Sequence, residues 1–245
     1  MVKKLIINAD DFGMTEGVSK GIIDSFEDGV LTSTTLLVNG EFSEFAIAEA
    51  KKHPGLGLGI HLALTIGRPV TNKVSTLTNE AGDFWRLSDY HKQQIAVDLE
   101  ELYMEWQAQM EEFIRRVGKK PTHIDSHHHV HTIPRHYEVV ARLAKEYDLP
   151  VRDLKGINDN YEDAVFMKDF YGESLTVESL TDSFKEEVEI MEVMTHPAYL
   201  DQRTYDMTAY HVPRIKEMDI LRSAKLREFI VKHNIQLITF DDLRK

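Results

Sequence analysis

Apolar residues along the chain fall into two rhythms. Short runs rich in Ile, Leu, Val or Thr read as strands at Leu5 to Ala9, Leu31 to Val38, Leu56 to Leu62, Pro121 to Asp125, Leu149 to Arg152, Glu189 to Thr195 and Ile235 to Ile238. Between them, apolar positions recur at steps of three and four and predict helices. The first spans Thr15 to Phe26, with Val18, Ile22, Ile23 and Phe26 on one stripe and Gly29 as a stop, and the next spans Ser43 to Lys52. A long helix from Gln93 to Val117 carries Ile95, Leu99, Leu102, Trp106, Met110, Phe113 and Ile114, and this stripe makes Trp106 a core residue. Pro134 opens another helix with Tyr137, Val140, Ala141 and Ala144 inward, and the last runs from Asp219 to Lys232 with Leu221, Ala224, Leu226 and Phe229 inward. Two stretches lack either rhythm: Thr65 to about Tyr90, which reads as a long loop or partial lid, and Gly156 to Thr176, which reads as a substrate-facing loop.

Strand alternating with helix, and reactive side chains at strand ends, predicts an α/β fold with a parallel sheet whose active rim gathers residues distant in sequence. About seven strand candidates suit a closed or nearly closed barrel, and periodicity alone does not separate that from an open doubly wound sheet. The 245 residues fit one domain, 1–245, and no internal repeat divides them.

Composition narrows the function. Asp and Glu outnumber Lys and Arg by 41 to 29, a formal charge of -12, which disfavours nucleic acid and anionic membrane surfaces and suits a neutral small substrate. Cysteine is absent, which excludes disulfides, thiolate catalysis, Fe–S clusters and Cys-based zinc sites. The acidic pair Asp10-Asp11 interrupts the N-terminal apolar run before a secretory signal could form, and no apolar run approaches the length of a membrane span, so a cytoplasmic location is expected.

Three positions carry the chemistry: Asp10-Asp11 after the first strand, His61 at the end of the third, and the run from His123 to His131, which holds five of the twelve histidines. Imidazole and carboxylate suit Zn, Fe, Mn or Ni, and a catalytic ion commonly keeps three protein ligands and an open position. Asp11, His61 and one member of the cluster supply such a set, leaving Asp10 to face a water and take its proton. Taken alone, the acidic pair could instead cap the following helix, and a strand-end histidine could bind a carbonyl. Strict backbone alternation would point His123, Asp125, His127, His129 and His131 one way and His128 the other. The glycines at 55, 57 and 59 form no phosphate-binding fingerprint.

The stretches NADDFG (Asn8 to Gly13), TSTTLLVNG (Thr32 to Gly40), GIHLALTIGRP (Gly59 to Pro69), PTHIDSHHHVH (Pro121 to His131), FYGE (Phe170 to Glu173) and EVMTHPAYLD (Glu192 to Asp201) resemble the YdjC-like bacterial carbohydrate deacetylases, particularly the chitooligosaccharide deacetylases among them. The resemblance implies a distorted TIM-like (β/α) barrel of seven strands. It implies one divalent ion, magnesium or zinc, held by Asp11, His61 and His127, with Asp10 as general base and His196 as the acid-side histidine. It further implies hydrolysis of the linear N-acetyl amide of an acetylated amino sugar or a chitooligosaccharide such as N,N'-diacetylchitobiose, in a homodimer. Asp125 then orients a metal-site histidine or serves the fold, and Tyr171, Tyr199 and Arg203 meet the sugar or pack loops. A metal-dependent sugar phosphoesterase on a similar barrel and a non-catalytic His-rich metal- or carbohydrate-binding protein are the competing readings.

Overall fold

The structure is a computed structural model that describes residues 1–92 and 95–245. Strand β1 (Lys4–Phe12) leads through Thr15 into α1 (Glu16–Glu27), because the Thr15 side chain accepts from the Val18 N–H at 3.0 Å and caps the helix. Strand β2 (Ser33–Leu36), α2 (Ser43–Lys52) and β3 (Gly57–Leu62) follow. Although polar, Ser33, Thr34 and Thr35 of β2 are fully buried, and the Thr34 hydroxyl donates to the Ala9 carbonyl at 2.7 Å. After the short α3 (Leu87–Lys92) comes α4 (Leu99–Val117). It begins later than the apolar stripe suggests, because Asp98 caps it by accepting from the Glu100 and Glu101 N–H groups; Gly118, at φ 87°, ends it. Gln93, where the sequence placed its start, lies outside the described residues.

Strand β4 (Ile124–Ser126) is short and runs into a 3-10 turn over His127–Thr132, where His128 and His129 take φ of 57° and 53°. The alternation expected along the histidine run therefore stops at His127. Pro134 starts a second 3-10 turn before α5 (Tyr137–Tyr147), whose buried side is Val139, Val140, Leu143, Ala144 and Tyr147; Tyr137, expected inward, is exposed. Strand β5 (Val165–Met167), α6 (Val177–Ser183), β6 (Ile190–Thr195), α7 (Gln202–Met207), α8 (Val212–Leu221), α9 (Ala224–Lys232) and β7 (Gln236–Leu237) complete the chain. The helix expected over Asp219 to Lys232 is thus two helices, since Ser223 accepts from the Leu226 N–H and starts α9 afresh.

All strand pairs are parallel, in the order β4-β3-β2-β1-β6-β5, with β7 against the first residues of β1. The expected distorted TIM-like barrel of seven strands is met in its α/β alternation and seven parallel strands but not in closure: among the described residues β4 and β5 do not pair, and the sheet curls into an open half-barrel. The segment 149–152 adds only a single bridge, Ile124 to Val151, where a full strand was expected. Side chains span the opening: the Arg152 guanidinium lies 5.0 Å from the Phe166 ring of β5 and donates to Glu192 of β6. Trp106, Phe113, Leu102 and Met110 of α4 are fully buried in the main core, as the apolar stripe predicted.

Candidate active site

Because the strands are parallel, their C-terminal ends share one rim, and side chains from β1, β3 and the turn after β4 meet there. Neighbouring residues in a strand ordinarily point to opposite faces. Here the β1–β2 register shifts between Ala9 and Phe12, and Asp11 takes φ 71°, a left-handed conformation that costs a non-glycine residue about 1–3 kcal/mol. Both carboxylates consequently line the same cleft.

Asp11 Oδ1 lies 2.8 Å from His127 Nδ1 and 3.4 Å from His61 Nε2, while Asp11 Oδ2 accepts from Arg214 at 2.6 Å. The other nitrogen of His61, Nδ1, is held by Asp125 Oδ1 at 2.7 Å, and Thr35 donates to Asp125 Oδ2 at 3.0 Å. This is the arrangement in which a carboxylate fixes the orientation of a ligating imidazole. Burial opposes charge on His61, but Asp125, Asp11 and Asp10 outweigh it and push the imidazole up to about 10. The carboxylates around His61 therefore favour positive charge at that position.

The ligand atoms of Asp11, His61 and His127 lie within 4.8 Å of one another, and so do those of Asp10, His61 and Asp125. Either group can coordinate a divalent ion by its chemistry. The second is the poorer of the two, because Arg152 already places its charge on Asp10, at 2.7 and 2.8 Å, and on Asp125, at 2.8 Å. The first keeps Asp11 Oδ1 and both imidazoles free of any guanidinium, and it fits a divalent ion.

Asp10 is nearly inaccessible, and burial alone would raise its pKa, but Arg152 and His61 hold the carboxyl well below the usual range, with Asn8 donating at 3.0 Å. It is a fully ionised carboxylate beside the trio. His196 follows β6; burial and the Arg214 charge push it down to about 3, so it is a neutral imidazole in the free protein. Among the described residues its Nδ1 has no hydrogen-bond partner, and it lies 4.0 Å from Glu217 Oε1. Glu217 accepts from the His196 backbone N–H and the Tyr210 hydroxyl, and burial pushes its carboxyl up to about 8.

The histidine run divides its tasks. His127 joins the trio, and His128, expected to face away, lines the same cleft with Nδ1 2.8 Å from the Thr65 hydroxyl. His129 also lines the cleft. His131 is buried, pairing with Ser126 and with the Arg152 carbonyl, and His123 stacks on Phe240 at 3.5 Å. Tyr171 and Arg203 line the cleft, the latter paired with Glu41, whereas Tyr199 bonds Asp24 and belongs to loop packing. Sequence reasoning did not single out Arg152, Arg214 or Glu217. The last two sit one helical turn apart on α8, and only their placement beside Asp11 and His196 reveals them.

The family model for YdjC-like proteins matches residues 4–232. The chain belongs to the YdjC-like family. A carbohydrate deacetylase of Brevibacillus brevis is 43% identical over 250 residues, covering 98% of this chain and 99% of the relative. A chitooligosaccharide deacetylase of Escherichia fergusonii is 38% identical over 258 residues, covering 99% of this chain and 100% of the relative. The crystal structure of an Enterococcus faecalis protein with the provisional name of cellobiose-phosphate cleavage protein superposes with TM-score 0.88 at 35% identity, covering all of both chains.

Proposed function

We propose that this YdjC-like chain is a metal-dependent carbohydrate deacetylase that hydrolyses the linear N-acetyl amide of an acetylated amino sugar or short chitooligosaccharide, N,N'-diacetylchitobiose among them, releasing acetate. The observation that carries this reading is the convergence of Asp11, His61 and His127 beside the ionised Asp10 in an open cleft of about 1360 Å³. Full-length similarity to proteins named as carbohydrate deacetylases supports the substrate class.

Asp11, His61 and His127 would hold one divalent ion, magnesium or zinc, and the two imidazoles favour zinc or another transition metal. When bound there, the ion supplies Lewis-acid polarisation of the amide carbonyl and of the attacking water. Asp10 is assigned to accept the proton of that water, its carboxylate held in place by Arg152 and Asn8. His196 is assigned to return a proton to the departing amine; being neutral at rest, it first takes up the proton that the attacking water gives to Asp10. The phosphoesterase reading is disfavoured because Arg152 engages Asp10 and Asp125, leaving Asp11 as the carboxylate for metal rather than a bridging set. We also propose a homodimer located in the cytoplasm, to be tested by sedimentation at several concentrations and by cell fractionation.

The test combines metal content with acetate release from N,N'-diacetylchitobiose and a panel of other acetylated sugars. Asp10→Asn should keep a substantial metal population and lose on the order of 10²–10⁴ in turnover, because the amide cannot accept the proton. Parental turnover by the folded, metal-loaded variant would remove Asp10 from the role. A parent that releases no acetate from any panel member with Mg, Zn, Mn, Co or Ni would overturn the substrate assignment.

A further inference from the structure

Tyr171 has no part in the chemistry above, yet it is 53% exposed and lines the same cleft as Asp10, Asp11 and His196. One of its faces lies parallel to the Tyr210 ring, at 3.9 Å and 9°. Tyr210 is fixed in turn, since its hydroxyl donates to Glu217 and accepts from the Gly172 N–H at 2.9 Å. The buried Phe170 anchors the loop on the other flank. The His196 ring stands steeply to both tyrosines, with centroids 5.7 Å from Tyr171 and 5.6 Å from Tyr210. A ring almost equidistant from two stacked rings lies beside the stack and covers neither outer face. Stacking covers the face toward Tyr210, so the outer face, the ring edge and the hydroxyl are what carry the exposure of Tyr171.

We propose that this open face is a platform on which a pyranose ring of the substrate stacks, the ring adjoining the one whose acetamide is cleaved. The inference rests on the deacetylase reading and extends it to the recognition of a second sugar. A hexopyranose presents a face of C–H bonds, which the negative face of an aromatic ring attracts. Stacking on Tyr210 orders Tyr171 before substrate arrives, so little rotamer freedom is lost on binding. A sugar on the outer face lies farther from His196 than Tyr171 does, a position assigned in this proposal to the neighbour of the reacting residue.

The experiment compares the zinc-supplied parent, Tyr171→Phe and Tyr171→Ala on N,N'-diacetylchitobiose and N-acetylglucosamine, with thermal unfolding as a folding control. Calorimetric titration with the fully deacetylated disaccharide measures binding without turnover. Tyr171→Ala should raise KM for the disaccharide about tenfold, equivalent to about 1.4 kcal/mol, with kcat changed less than about threefold. Its penalty on the monosaccharide should be several-fold smaller, and Tyr171→Phe, which keeps the ring face, should stay within about twofold of the parent on the disaccharide. An equal penalty on both sugars, an unchanged disaccharide KM in Tyr171→Ala, or a loss in Tyr171→Phe as large as in Tyr171→Ala overturns the platform while leaving deacetylation intact. If the parent releases no acetate but the titration shows affinity lost in Tyr171→Ala and kept in Tyr171→Phe, the platform stands and the deacetylase reading falls. A parent that neither hydrolyses nor binds the sugars overturns both.

Discussion

Replacing Arg152 by methionine keeps an unbranched stem and removes a guanidinium on which three carboxylates depend. The side chain is fully buried and holds Asp10 at 2.7 and 2.8 Å, Asp125 at 2.8 Å and Glu192 at 2.5 Å, all three with side chains at most 4% exposed. Removing one partner of a buried ion pair costs about 3–5 kcal/mol, because the remaining charge is left without compensation. In a chain of this length each kcal/mol moves Tm by about 2–4 °C, so the variant should melt roughly 6–20 °C lower at neutral pH. The sign of the pH dependence follows from Asp10. Its folded pKa lies below the ordinary 3.8, so its stabilising contribution is present above that value and lost as pH falls through the folded one. Without the guanidinium, burial is opposed at Asp10 chiefly by His61, and the carboxyl takes up a proton at higher pH in the folded variant. The deficit should therefore be largest near neutrality and shrink toward pH of about 4. Denaturant unfolding of parent and variant at several pH values measures it. A deficit below about 1 kcal/mol, or one constant across the range, would refute the account of this cluster.

Three further outcomes are expected. Asp11→Ala, His61→Ala and His127→Ala should each lose bound metal with the fold largely retained, and His129→Ala should lose less than His127→Ala because only His127 joins Asp11 and His61; wild-type metal content in all three folded ligand variants would sink the trio. The Glu217 carboxyl is pushed by burial from 4.5 up to about 8, so the folded state binds the extra proton and stability falls as pH rises across that window, by at most about 1.4 kcal/mol for each pH unit crossed. Glu217→Gln should flatten this dependence, and denaturant curves at both ends of the window with an unchanged difference would contradict it. Glu105 is fully buried on α4 and accepts from the Val70 and Thr71 N–H groups at 2.8 and 3.0 Å. Glu105→Ala leaves both without that acceptor, at about 1–3 kcal/mol for each that stays unpaired, and should open the 65–90 loop to limited proteolysis; parental resistance would show that other contacts hold it.

The sequence carried much of this site because its strongest signals are local. Thr15 caps α1, Ser43–Lys52 is a helix as read, and Asp11, His61 and His127 come together at strand ends. What escaped has physical reasons. His128 and His129 adopt positive φ without being glycine, so nothing in their side chains announces the turn that brings His128 into the cleft. The opening between β4 and β5 depends on segment 149–152 making one bridge instead of a ladder, which an apolar run cannot disclose. Arg214 and Glu217 sit on a helix among other charges, and their burial beside Asp11 and His196 is a tertiary fact. The break before α9 was legible, since Ser223 is a strong N-cap residue.

The left-handed turn at Asp11 bears on any attempt to transplant this centre. Copying an Asp-Asp pair onto the end of a regular strand in another parallel sheet would send the two carboxylates to opposite faces, one into the core or the helical layer and the other to the rim. A working graft must import the dislocation as well: the slipped pairing between Ala9 and Phe12, and a host rigid enough to keep an L-residue at φ 71°. For a designer the transferable unit is thus a backbone irregularity that happens to carry two acids, and scaffolds chosen for ideal strands are the ones least able to receive it.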